Sequence, residues 1–151
     1  MTDLLETINE IAKYGLEPGL SVDGNEKDLE ASLVRLYSKY FEIDYVFDNT
    51  DYPDFEKGQF PDIITNIRAN FPDFGPYHVV LNVDEVSQDP ENSMGDALDD
   101  LADIIYDILE IKWRYENNSE SDALWYFELI FYSHTQRHLL DLLLFLKSKN
   151  G

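Results

Sequence analysis

The chain has 151 residues, 44% hydrophobic and 14% aromatic, which is enough apolar material for one packed core and too much for a disordered acidic tail. Its 31 acidic against 11 basic side chains give a formal charge of -20, a field that repels nucleic acid and anionic membranes and suits a basic protein as partner. The absence of cysteine excludes disulfide frameworks, thiolate metal sites and cysteine nucleophiles, and it fits a reducing, cytoplasmic setting.

The first residues, Met1-Thr2-Asp3-Leu4-Leu5-Glu6, lack the basic and apolar regions of a secretory signal. The longest apolar run, Leu142 to Leu146, falls far short of the roughly 18 residues of a membrane span. Leu4, Leu5, Ile8, Ile11 and Ala12 recur at helical spacing, with Asp3 and Glu6 placed as a capping pair and Gly15 as a stop. Pro18-Gly19 and Asp23-Gly24 then mark a loop. Asn25 with Asp28 is placed to cap a second helix, whose inner face carries Leu29, Leu33, Leu36, Tyr37 and Tyr40 and which is expected to run to about Phe47.

Residues 48–58 are polar and punctuated by Pro53 and Gly58, after which Pro61 opens a third helix with Ile63, Ile64, Ile67 and Phe71 as its stripe. The aromatic-Pro-Asp triplets at Tyr52, Phe60 and Phe71 are unevenly spaced, so they read as local punctuation and not as a repeat. Val79, Val80 and Val83 favour extended backbone, but a lone strand has no ladder partner, so 77–83 is expected to be an irregular connection or a short helix. Val86 to Asn92 reads as loop, and Ser93 with Asp96 as the capping box of a fourth helix from about Met94 to Glu116. Its apolar positions include Leu98, Leu101, Ile104, Ile105 and Ile108. An acidic stripe, Asp96, Asp99, Asp103, Asp107 and Glu110, occupies the remaining arc with Asp100 and is the candidate surface for a basic partner.

Asn117 and Asn118 break the pattern, and Ser119 with Asp122 caps a fifth helix from about Glu120 to Lys147, roughly 40 Å long at 1.5 Å per residue. It is apolar nearly all round and is expected to be the central helix. The expected fold is therefore an all-α, single-domain bundle over residues 1–151, with about five main helices and the two long C-terminal ones folded as an antiparallel hairpin.

Within the arc of Phe127, Phe131 and Phe145 sit His134, His138 and Asp141, flanked by Arg137. A hairpin turning near Asn118 sets His134 level with Asp103 and His138 level with Asp99 or Asp100. Three readings follow. One is a structural polar network using Asp99, Asp100, Asp103, Asp107, Asp141 and Arg137. The second is a divalent-metal site of His134, His138, Asp103 and Asp107, although Thr135 stands where a metalloprotease helix has Glu. The third is a pH-responsive imidazole-carboxylate contact. Gly-rich phosphate loops and nucleophile elbows are absent, and Ser133 points about 100° away from His134, so it is no nucleophile-base pair. His78 reads as a loop residue and Trp113 and Trp125 as packing at the hairpin turn.

Leu101-Ala102-Asp103-Ile104 with Asp107, then Trp125 and Ser133-His134 through His138, resemble a bacterial family, the domain of unknown function numbered 5063. Leu36-Tyr37 and the segment around Phe71 to Tyr77 extend the resemblance to about three quarters of the chain. It implies a compact helical domain and groups Asp103, Asp107, Trp125, His134 and His138 as a unit. Where members tend to have Trp-Gly after the first His, this chain has Thr135-Gln136. The primary functional expectation is a non-enzymatic, cofactor-free interaction protein of immunity, antitoxin or adaptor type. A metal-binding protein or metal-dependent enzyme is the alternative.

Overall fold

The computed structural model describes residues 1–151 and is mostly helical. Helix α1 (Thr2–Leu16) turns its Leu4, Ile8, Ile11 and Ala12 stripe inward, as the spacing predicts. Gly15 lies inside α1 and does not end it. A Cβ there would stand 3.1 Å from both Ile105 and Ile63, so the missing side chain lets α1 approach its neighbours closely. The carbonyls at the end of α1 are taken up from elsewhere. Asn66 Nδ2 donates to Gly15 O at 2.8 Å, and Asn70 Nδ2 donates to Tyr14 O at 3.0 Å and Glu17 O at 2.7 Å.

The loop that follows uses positive φ at Gly19 and Gly24, as its turn dipeptides predict. Helix α2 (Asn25–Tyr40) is shorter than expected, and Asn25 is buried against Asn70 O instead of capping. Residues 41–62 form a strap with one short turn at Lys57–Gln59. Trp113 meets Phe55 edge-on at 5.6 Å and Trp125 meets Phe47 at 6.4 Å, so both tryptophans clasp this strap. Helix α3 (Ile63–Asn70) begins two residues after Pro61.

The all-α expectation needs correction. Strand β1 (Pro76–Val80) pairs antiparallel with β2 (Asn92–Asp96), with Tyr77 opposite Gly95 and Val79 opposite Ser93. The partner strand, Asn92-Ser93-Met94-Gly95-Asp96, carries no β-forming residue type, which is why Val79 and Val80 looked unpaired. Gly95 belongs there because a Cβ would overlap the Tyr77 ring lying across it. The expected capping box dissolves accordingly: Ser93 is in the strand, and Asp96 alone caps α4 (Ala97–Asn117), accepting from Leu98 N at 2.8 Å.

Ser119 caps α5 (Glu120–Ile130) by accepting from Asp122 N at 3.0 Å, so the hairpin turns where expected. The last helix then differs from its expectation. Phe131–Thr135 forms one π-helical turn before α6 (Gln136–Asn150) resumes α geometry. The central helix is α4, which packs against α1, α3, α5 and α6 and buries Leu101, Ile104, Ile105 and Ile108 completely. In α6 only Leu139, Leu142 and Leu146 are buried, while Leu140 and Leu144 face outward. One apolar cluster, built from all six α-helices and the π turn, forms the core. No helix is long and apolar enough to cross a membrane.

Candidate metal centre

Asp100, Asp103 and Asp107 are spaced three and four residues apart on α4, so their carboxylates line one side of that helix over about 10 Å. The π turn faces them. Thr135, fully buried, donates its hydroxyl to Asp107 Oδ2 at 2.7 Å and lies 3.3 Å from Ile130 O, five residues back. His134 belongs to this turn and faces Asp107 across the seam with α4.

Two imidazoles then lie end to end along α4. His134 Nδ1 is 2.7 Å from Asp107 Oδ2, and His138 Nδ1 is 2.7 Å from Asp100 Oδ1. Between them, the two Nε2 atoms are 3.2 Å apart, and Asp103 Oδ2 is 3.3 Å from His138 Nε2. An ionised carboxylate can only accept, so each Nδ1 carries a proton. A neutral ring held in this way presents its Nε2 lone pair, and the two Nε2 atoms converge. Two such acceptors at hydrogen-bond distance repel unless a proton or a metal ion lies between them.

The spacing suits a metal ion. Tetrahedral ligands at 2.0–2.1 Å from zinc stand about 3.3–3.4 Å apart, close to the two separations found here. The three donor atoms of Asp103, His134 and His138 all lie within 4.8 Å of one another. Asp100 and Asp107 are the carboxylate partners that fix ligand tautomer in carboxylate-histidine-metal arrangements. Both are buried, whereas the side chains of Asp103 and His134 are each 43% exposed and that of His138 is 25% exposed. The three convergent side chains are thus partly open to water and their carboxylate supports are not.

Electrostatics follow from these contacts. The Asp100 hydrogen bond raises the His138 pKa above that of an ordinary imidazole, against the opposing effect of burial and with help from the Asp103, Asp100 and Asp107 charges. Burial raises the Asp107 pKa, although the Thr135 and His134 hydrogen bonds pull it down. On the far side of Asp100, Tyr77 of β1 donates its hydroxyl to Oδ2. Burial first, and then that carboxylate, push the phenol well above its ordinary range.

Beside His134 opens a cleft of about 740 Å³, whose walls include Phe55 and Lys57 of the strap, Asp103 and Glu110 of α4, and Tyr126 of α5. Two of its acids are already engaged. Asp107 holds His134 and Thr135, and Glu110 accepts from Arg114 at 2.9 Å and from the Tyr126 hydroxyl at 2.8 Å. Lys57 forms no ion pair.

Three of the four expected metal ligands thus converge, and Asp107 stands one step behind them. His134 meets Asp107, one helical turn from the Asp103 that level pairing predicted, whereas His138 meets Asp100 as expected. Of the expected polar network, Asp100 takes part, Arg137 and Asp141 pair with each other at 2.9 Å, and Asp99 is exposed. Partial burial and the like charges of Asp96, Asp103 and Asp100 raise the Asp99 pKa. The acidic stripe divides: Asp107 and Glu110 are buried and engaged, Asp96 caps α4, and Asp99 and Asp103 meet solvent. His78 lies on β1 and not in a loop. Thr135 and Tyr77 were not singled out, since a π turn and a contact from β1 to α4 leave no local signature. The chain matches no protein-family model, no curated protein and no solved structure.

Proposed function

We propose that this chain binds one divalent transition-metal ion, zinc being the best fit, through His134 Nε2, His138 Nε2 and an Asp103 carboxylate oxygen. The observation that carries the reading is the convergence of two Nε2 atoms 3.2 Å apart, each turned inward by a carboxylate on the opposite ring nitrogen and able to ligate when its ring is neutral. Three protein ligands leave a fourth position, and such an ion supplies Lewis-acid chemistry or a water of lowered pKa to whatever occupies the neighbouring cleft. In that cleft Lys57 is the unpaired cation, which favours an anionic small molecule.

Calorimetric titration with zinc, manganese and nickel, alongside elemental analysis, tests the assignment. The expected result is one metal per chain in the native protein and loss of binding in both His134→Ala and His138→Ala. Absence of bound metal and of binding heat refutes it, as does binding that survives both substitutions.

An acidic protein that receives a basic partner is a second, compatible reading, favoured by the unpaired carboxylates of the β1-β2 arm. Cytoplasmic residence and indifference to nucleic acid belong to the same proposal. Their supports are the lack of cysteine and the charge of -20. Membership of the family numbered 5063 is likewise proposed: four residues of its pattern, Asp103, Asp107, His134 and His138, are the ones grouped at the centre.

A further inference from the structure

On the face beyond Asp100, the β1-β2 arm and α6 enclose a second groove, of about 550 Å³. We infer that it is a docking site for a basic amphipathic helix of a partner protein. The inference rests on the basic-partner reading and stands apart from the metal assignment, because none of the three proposed ligands lines this groove.

The first support is apolar surface that the fold leaves uncovered. Leu140 and Leu144, one turn apart on α6, are 44% and 65% exposed, and across the groove Val80 and Val83 are 41% and 75% exposed. Two elements thus present large side chains toward the same space. Its floor is firm: Phe145 packs against Phe74 and against Tyr77, both at 5.6 Å. A helix offering apolar side chains at i, i+3 or i+4, and i+7 fills such a groove with its anchors.

Charge selects the occupant. The arm from Pro76 to Asp96 contains Asp84, Glu85, Asp89, Glu91 and Asp96 and no Lys or Arg. None of these five carboxylates enters an ion pair, while Arg137, the basic residue on the groove wall, is neutralised by Asp141. Asp84 and Glu85 directly follow Val83, a wall residue, so an apolar groove with unpaired carboxylates next to its edge favours a helix with one apolar and one basic face. A second copy of this chain would bring -20 against -20.

The test is fluorescence anisotropy with a labelled 18-residue helical peptide of leucine and lysine in amphipathic order. A scrambled peptide of the same composition and a leucine-glutamate peptide of the same order serve as comparisons. A chelator is present throughout, so that failure here and failure of the metal reading remain separate. Leu144→Asp and Val83→Asp change exposed residues, and circular dichroism verifies their fold. Docking in the groove requires that each substitution weaken the amphipathic peptide at least tenfold, even though each adds negative charge. It also requires that scrambling cost a similar factor and that the leucine-glutamate peptide not bind. Equal or tighter binding to the variants would show diffuse charge attraction and overturn the inference. So would binding of the leucine-glutamate peptide, or a self-associated protein that Leu144→Asp converts to monomer.

Discussion

Replacing Asp107 by Asn isolates the contribution of a carboxylate behind a metal ligand. Asp107 Oδ2 accepts from both His134 Nδ1 and Thr135 Oγ1, each at 2.7 Å. An amide oxygen in the same place keeps both bonds, and the new amino group takes the Oδ1 position, which makes no hydrogen bond to the protein and belongs to a residue on the cleft wall. What changes is charge. Loss of the carboxylate weakens two charge-assisted hydrogen bonds, at about 1.5–3 kcal/mol for such a bond. It also relieves the desolvation cost of a buried anion, which is of similar size, so metal-free stability is expected to move by no more than about 1 kcal/mol. Metal affinity behaves differently, because a neutral partner no longer raises the basicity of His134 Nε2. A weakening of about 10- to 100-fold is expected, or roughly 1.4–2.7 kcal/mol. Calorimetry in competition with a chelator measures it, with denaturant unfolding of the metal-free protein as the parallel reading. Affinity unchanged within threefold would refute the support role of Asp107. A loss as large as that of His134→Ala would show instead that Asp107 is itself a ligand.

Three further perturbations probe the surroundings. Tyr77→Phe removes the hydroxyl that donates to Asp100, and zinc titration is expected to show about a tenfold weaker site, with Gly95→Ala doing the same by displacing the Tyr77 ring. Asn70→Ala deletes three hydrogen bonds, to Tyr14 O, Glu17 O and from Leu20 N, and is expected to cost about 3 kcal/mol in urea unfolding. Burial, followed by the Asp28 and Glu10 charges, pushes the Tyr14 phenol up to about 12, so the folded state keeps its proton while the unfolded state releases it near 10. That contribution to stability is complete below pH 10 and is lost as the pH climbs toward 12. The unfolding midpoint of the native protein should therefore fall relative to that of Tyr14→Phe over that interval.

The hairpin of α4 and α5 was legible because its signals are local: a break at Asn118, a capping Ser119, and apolar residues at helical spacing on both sides. The histidine pair was legible for the same reason, since four residues on a helix place two side chains on one face. Two features escaped. Strand β2 owes its conformation to the ladder with Tyr77, Val79 and Val80, to which its own residues add only the space left by Gly95 for the Tyr77 ring, so no window of sequence contains its cause. The π turn is stabilised by Thr135 bonding to Asp107, 28 residues away, and residues 131–135 read locally as ordinary helix. Reading the last helix as the centre of the bundle failed for a different reason. Leu129, Leu140 and Leu144 are apolar but exposed, and periodicity reports hydrophobicity without saying which apolar arc the fold covers.

The acidic surplus is better understood as two populations than as one field. On α4, Asp100, Asp107 and Glu110 are buried on the most central helix, and each is matched there by imidazole, hydroxyl or guanidinium donors. Carboxylates so placed are costly unless they hold something, and what the first two hold is the orientation of His138 and His134. Asp103 lies between them, half exposed and 3.3 Å from His138 Nε2, which leaves it able to close on an ion arriving from solvent. The second population sits on the arm, free of ion pairs and, apart from the capping Asp96, of side-chain hydrogen bonds, in the same segment as apolar side chains that the core does not use. Tyr77 touches both settings, Asp100 at its hydroxyl and the floor of the groove at its ring. A single aromatic side chain thus joins the proposed metal centre to the proposed docking groove.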